Sequence, residues 1–379
     1  MIIFFHTKNM KKETFNLNII ISLIIFAIIS ILTIYTTIPF LKQSLHNLYL
    51  KQIFFYLLGF IITIFITFKG FDLLKKYHFL VYIGINVLLL SLIFFGYPIN
   101  GSKCWIIIGP LTFQPSELMK ISLIITLSMI ITKFLQKDKR NMQDEFILLL
   151  KLFIITLIPS ILTFLEPDTG VVIIYFLIFL TSLFFLNLNK KWYLIFSLGL
   201  VFLIVTVLLL YVFSNDLFMN ILSNNFYRLD RILNWKNASG YQLENSLITI
   251  SNSGLTGFGF NKNIIYFPEP QTDFIFTSYV ANFGFLGASF LILIILIFDT
   301  TILRLVTKKI NQEDKYILLG IFIMLFYGQI QNIGMTLGLL PITGIPLPFI
   351  SYGGSSLLSY LFIGGIILNI NKNRFKYRN

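Results

Sequence analysis

Ten stretches of this 379-residue chain are apolar over close to the 17–25 residues that a helix needs to cross a bilayer, and nothing else restricts its fold as strongly. They fall at 17–38, 53–68, 79–97, 117–135, 146–165, 170–188, 193–213, 274–298, 316–336 and 352–370. In hydrocarbon a backbone must satisfy its own polar groups, which leaves helices or a closed barrel, and windows of this length are helical. The expectation is an all-α, polytopic membrane protein with about ten transmembrane helices in a single domain, 1–379. Composition agrees: 56% of residues are hydrophobic and only 12% charged, against about 25% charged in globular domains.

The first window follows Lys8, Lys11 and Lys12, as a secretory leader would. It is too long for a leader's apolar core and lacks a small-x-small cleavage site, so it is expected to stay as the first span. Cys104 is the only cysteine, which excludes an intramolecular disulfide.

A net charge of +13 raises the question of nucleic acid, but the basic residues are scattered over short connections rather than gathered in a patch. Alternate connections (both termini and those near 69–78, 133–145, 190–191 and 299–315) hold 20 of the 29 Lys and Arg. The opposite short loops hold Lys42, Lys51 and Lys103. The positive-inside rule then puts both termini in the cytoplasm and the long connection 214–272 outside. No binding of nucleic acid is expected.

Polarity gathers on the expected outer side, in 98–116, in the hairpin EPDTG at 166–170, in 214–272 and in LGLLPITGIPLPFIS at 337–351. The last is rich in Pro and Gly yet almost wholly apolar, which fits irregular backbone shielded by protein at membrane depth, a re-entrant outer segment. FYRLDRILNW, 226–235, alternates aromatic and basic residues and suits an interfacial helix. Eight of the sixteen carboxylates (Glu117, Glu166, Asp168, Asp216, Asp230, Glu244, Glu269 and Asp273) lie on this side, where any chemistry is therefore expected.

Asp273 stands directly ahead of an apolar run, an expensive place for a carboxylate. A helix N-cap accounts for it when it is read alone; a general base for a sugar hydroxyl is the functional alternative. Glu117 suits a helix N-terminus, but Lys120, three residues on and on the same face, is opposed by both dipole and hydrocarbon, and calls for Glu117 or a bound anion. Asp168 and Glu166 flank Pro167 and suit turn formation and capping. Arg228 and Arg231 either snorkel from an interfacial helix or bind a lipid-borne phosphate. The three histidines lie away from this group, except His46, and show neither metal spacing nor a Ser-His pair.

Four stretches in order resemble the SEDS family of bacterial cell-wall proteins (shape, elongation, division, sporulation). They are GSKCWIIIGPLTFQPSELMK at 101–120, EPDTG at 166–170, YQLENSLITISNSGLTGFGF followed by PEPQTDFIF, and NIGMTLGLLPITGIPLPFISYGGSSLL at 332–358. Cys104 stands where many members carry Arg, and Gln271 where many carry His. The resemblance implies an inverting peptidoglycan glycosyltransferase that polymerises lipid II at the outer face of the cytoplasmic membrane. Asp273 would deprotonate the acceptor 4-hydroxyl. Lys120, with Arg228 and Arg231, would neutralise the undecaprenyl pyrophosphate leaving group, and Glu117 and Asp168 would orient the cations. A divalent cation, Mg or Mn, would assist, with no organic cofactor.

The resemblance also implies a class B penicillin-binding protein transpeptidase as partner, alongside membrane lipid and the elongation machinery, because the 332–349 motif and RLDRI are closest to the RodA branch. A septal, FtsW-like role is the near alternative. A lipid II flippase is the alternative of a different class, and the position of the charges at outer helix ends rather than mid-membrane argues against it.

Overall fold

The computed structural model describes residues 16–99, 102–109, 111–137, 140–186, 188–195, 235, 240–262, 265–308 and 310–373. Among them, eight helices are long and apolar enough to cross a membrane. In order the elements are α1 (Leu17–Thr37), α2 (Leu48–Lys69), α3 (Asp72–Lys76), α4 (His78–Phe95), β1 (Tyr97–Ile99), β2 (Ser102–Ile108), β3 (Leu111–Phe113), α5 (Pro115–Leu135), α6 (Met142–Leu165), α7 (Thr169–Phe184), α8 (Tyr241–Asn252), α9 (Ile275–Val306), α10 (Gln312–Thr336) and α11 (Gly354–Asn373). Nine of the ten expected windows thus have a helix, α7 being a short one of 16 residues. The window 193–213 falls outside the described residues after 195, and the 214–272 connection is described only in part.

Local chemistry sets the helix ends. The Asn16 side chain caps α1, Asn141 and Asp144 form a reciprocal capping box at α6, and Pro115 opens α5, where its missing N–H costs nothing. Tertiary position follows polarity inside out. The most enclosed helices are α11, α5 and α10, with 78, 72 and 67% of their central windows buried. Their mean hydropathies are only 1.3, 1.9 and 1.6, against 2.2 for α4, which is 22% buried. Helices that face lipid must be apolar all round, whereas those packed against protein can carry serine, asparagine and glycine. Gly59 of α2 shows the closeness: a Cβ there would sit 2.1 Å from Leu361 of α11.

Three features go beyond or correct the reading from sequence. The 98–116 connection holds an antiparallel three-stranded sheet, β1-β2-β3, with Tyr97 opposite Trp105 and Ile106 opposite Phe113. This "hairpin end" of the bundle also carries the starts of α2, α5 and α7.

The 337–351 segment does dip into the bundle, as expected. Phe349 stacks on Phe26 of α1 and packs edge-on to Phe298 of α9, with centroids 5.6 and 5.4 Å away. Its backbone is held by Ser30 Oγ, which donates to the Ile350 carbonyl at 2.7 Å, and by the Tyr56 hydroxyl, which donates to that of Phe349.

The correction concerns 274–298, read from sequence as one uninterrupted span. Gly284 breaks α9 with φ 62° and ψ −157°. A straight helix would separate Thr272 from Phe298 by roughly 39 Å at 1.5 Å per residue. Yet Ser351 Oγ donates to the Thr272 carbonyl at 2.7 Å, and Phe349, two residues before Ser351, touches Phe298. So short a bridge requires α9 to fold back at Gly284. The arm 275–283 climbs toward the hairpin end, where Asn282 Nδ2 donates to Thr36 Oγ1 at the end of α1 (2.9 Å), and the arm 285–306 descends beside α1. Asp273, at the foot of the first arm, is sunk roughly 13 Å below its corner.

Candidate active site

Asp273 is half-buried and sits one residue before the N-cap of α9, a position occupied by Phe274 without a side-chain cap bond. What the fold does at Asp273 is fix its backbone. Each carbonyl from Pro270 to Asp273 accepts a hydrogen bond from a different group: Ser278 Oγ to Pro270 (2.7 Å), Tyr352 N–H to Gln271 (2.9 Å), Ser351 Oγ to Thr272 (2.7 Å) and Asn332 Nδ2 to Asp273 (2.9 Å). Glu269, at φ 55°, closes the turn from the other side, its Oε2 accepting from Gln271 Nε2 and Thr272 Oγ1. Donors from α9, α10 and the re-entrant segment thus hold one four-residue turn. Orientation of a reacting group is the usual purpose of such restraint. Ser278, Asn332, Ser351 and Glu269 were not singled out from sequence, although three of them lie inside the quoted motifs.

Glu117 and Lys120 pair as their spacing predicts, at 2.8 Å, but both are buried, at 2 and 1% exposure. The ammonium lies 5.3 Å from the centroid of the Tyr360 ring of α11. In this arrangement it faces Glu117 and an aromatic ring. Asp168 caps α7, accepting from Val171 N–H at 3.2 Å, and also accepts from Gln114 Nε2 at 2.9 Å, tying α7 to the start of α5. Tyr175 adds a second tie, donating to the Ser116 carbonyl at 3.1 Å. Arg228 and Arg231 lie outside the described residues.

Glu166, read as a turn residue, is 1% exposed, and neither carboxyl oxygen has a hydrogen-bond partner among the described residues. Burial, with Asp168 nearby, pushes its carboxyl up to about 8, so it holds a proton at neutral pH. Asp299 was also missed, because the apolar window ended one residue earlier. It is 4% exposed inside α9 and accepts from Gln329 Nε2 of α10 at 3.3 Å.

Beside Thr272 lies a cavity of about 460 Å³ lined by Lys51, Phe54 and Phe55 of α2, Trp105 of β2, and Tyr352 to Gly354 at the start of α11. Leu50 and Phe54, on its rim, are 50 and 58% exposed and turn toward the lipid side. The cavity joins an apolar approach, aromatic faces suited to sugar rings and one cation to the turn that holds Asp273. Lys51 had been counted only as a loop charge. Among the described residues no three His, Cys, Asp or Glu side chains converge on one point, and a divalent cation shared with a substrate's phosphates would need only one or two carboxylates.

Comparison with known proteins supplies the context. Residues 12–376 match the family model FtsW/RodA/SpoVE, described as "Cell cycle protein". A Coxiella burnetii protein named as a probable peptidoglycan glycosyltransferase FtsW is 35% identical over 306 residues, 78% of this chain and 77% of that one. Two solved structures share the fold. One is a chain of a peptidoglycan synthase complex studied for coordination of polymerization and crosslinking (TM-score 0.77, 22% identity, 97% of this chain and 99% of that one). The other is the rod shape determining protein RodA of Thermus thermophilus (TM-score 0.66, 20% identity, 96 and 98%).

Proposed function

We propose, from the premise that the chain belongs to the FtsW, RodA and SpoVE family of cell cycle proteins, that it is a peptidoglycan glycosyltransferase which polymerises lipid II. The observation that carries this reading is the Asp273 turn: a half-buried carboxylate with four tethered carbonyls around it, beside a cavity open to the lipid side. The hairpin end faces the cell exterior and both termini face the cytoplasm, in keeping with the distribution of Lys and Arg.

In the reaction the Asp273 carboxylate takes the proton of the acceptor's GlcNAc 4-hydroxyl. The oxygen bonds to the anomeric carbon of the donor MurNAc, the carbon–oxygen bond to phosphate breaks, and undecaprenyl pyrophosphate leaves with inversion. Trp105 and Tyr352 offer faces for the sugars, and Phe54 and Leu50 a path for the polyprenyl chain. Lys51 supports the role of neutralising the leaving group, since its position lines the cavity. Lys120, Glu117 and Asp168 act one layer beneath, holding α5, α7 and α11 in place. Arg228 and Arg231 keep their proposed role as phosphate contacts. A divalent cation, Mg or Mn, would have to arrive with the substrate's pyrophosphate.

Similarity of the 332–349 motif to the RodA branch supports a role in elongation with a class B penicillin-binding protein. The septal reading has its own support, in a curated relative named FtsW. Localisation in the source cell distinguishes them, and placement only at midcell would overturn the elongation role. A flippase draws support from Asp299 alone, the one buried carboxylate singled out here away from the hairpin end.

The decisive assay gives the purified protein, with its transpeptidase partner, labelled lipid II in detergent. Wild type should make polymer and Asp273→Asn should make none. Equal polymer from both would refute Asp273 as the base, and transport of lipid II across the bilayer of proteoliposomes, with no polymer formed in either setting, would favour the flippase.

A further inference from the structure

At the end of the bundle opposite Asp273, Lys133 of α5, Lys151 of α6 and His78 of α4 line one pocket of about 240 Å³, together with Phe79, Met129 and Ile130. Lys151 is the more unusual of the two lysines. It interrupts the apolar run FILLLKLFIITLI and is the only charge between Phe146 and Leu165. A cation there is costly unless it meets a counter-charge. Neither Lys133 nor Lys151 makes a salt bridge among the described residues, and the Nδ1 atom of His78 is buried with no hydrogen-bond partner there.

Both lysines are exposed and line one small space, where their like charges repel. Their convergence, from two helices and beside the first turn of α4, favours an anion between them. The setting selects its type. Phe79 on one wall is 50% exposed, and Ile147, one turn before Lys151, is 63% exposed. Both lie where hydrocarbon chains would run. This is also the end that carries the Lys-rich connections 69–78 and 133–145 and is expected to face the anionic cytoplasmic leaflet.

We propose that this pocket binds the phosphate headgroup of an anionic phospholipid, with Lys133 and Lys151 on the phosphate, His78 on its edge and the acyl chains along Phe79 and Ile147. The site is separate from the catalytic turn and does not depend on the function proposed for it.

Native mass spectrometry of the full-length chain tests it, with phosphatidylglycerol and phosphatidylethanolamine titrated in turn. Two lysines at the membrane surface predict about 30-fold tighter binding of phosphatidylglycerol. The variant Lys133→Gln/Lys151→Gln should lose that preference while Lys133→Arg/Lys151→Arg keeps it. If the double Gln variant does not fold, each single Gln variant should lose about fivefold, by the same count of one charge each. Equal binding of the two lipids by wild type, or an unchanged preference in the folded Gln variants, would overturn the proposal. Full displacement of phosphatidylglycerol by millimolar inorganic phosphate would reassign the pocket to free phosphate.

Discussion

Replacing Lys120 by Met separates a structural role of the buried ion pair from a chemical one. At 2.8 Å the attraction within the pair is about 6 kcal/mol at an effective dielectric of 20. Desolvation costs several kcal/mol per ion, so the intact pair contributes close to nothing in net stability. Half a pair is different. Lys120→Met leaves the Glu117 carboxylate 2% exposed without the ammonium that donates to its Oε1, its Oε2 having no hydrogen-bond partner among the described residues to begin with, at an expected cost of about 3–5 kcal/mol. The double variant Glu117→Gln/Lys120→Met removes both charges and should return to within about 1 kcal/mol of wild type, the remainder including the lost contact with Tyr360. Equilibrium unfolding in mixed micelles measures the three variants, and polymerisation of lipid II measures their activity. Recovery of stability and activity together would establish the pair as a positioning device beneath the cavity. Recovery of stability with activity still lost would mean that the ammonium takes part in the reaction after leaving Glu117. A single Lys120→Met variant that costs less than about 1 kcal/mol would refute the burial argument itself.

Three further outcomes follow from particular residues. The folded Glu166 carboxyl titrates near 8 against 4.5 when unperturbed, so the native state holds the extra proton between those values; stability is full below pH 4.5 and falls as pH rises to about 8, by roughly 4–5 kcal/mol. Glu166→Gln should flatten this slope in melting curves recorded from pH 5 to 8, and parallel curves for the two proteins would contradict it. Asn332→Leu strands the carbonyls of Asp273 and Ile345, at about 1–3 kcal/mol each. Because it also frees the Asp273 turn, kcat should fall at least about tenfold with KM little changed, as expected for lost orientation; an unchanged kcat in the folded variant would leave Asn332 merely structural. Gly284→Ala meets both a positive φ and the Gly257 backbone nitrogen 2.3 Å from the new Cβ, for a loss of about 3 kcal/mol or more. Protein yield and melting temperature would show it, and a wild-type melting temperature would disprove the fold-back.

Much of the architecture was written in local hydropathy. Nine windows correspond to helices because a bilayer selects each span by its own length and polarity, with little help from the rest of the chain. The hairpin sheet at 97–113 escaped notice, its strands being short and set between spans. Asp299 escaped because a hydropathy window stops at the first charge, whether or not the helix does. Glu166 and Lys120 were each visible as residues, but not their enclosure, which depends on how α5, α6, α7 and α11 meet.

Asp273 marks the boundary between the two kinds of information. By itself the sequence determined that this is a multi-pass helical membrane protein, that charge collects at one end of it, and that a costly carboxylate stands there. Only the tertiary structure decided that α9 folds back at Gly284 and sinks Asp273 into the bundle beside the re-entrant segment. The reason is physical. The arm before Gly284 (IFTSYVANF) is more polar than the arm after it (FLGASFLILIILI), yet glycine and a few hydroxyl or amide side chains are common in continuous membrane helices, so the local sequence does not separate a break from a single span. The break is imposed by hydrogen bonds to the 254–258 backbone, to Asn332 and to Ser351, and those partners are brought together by the fold.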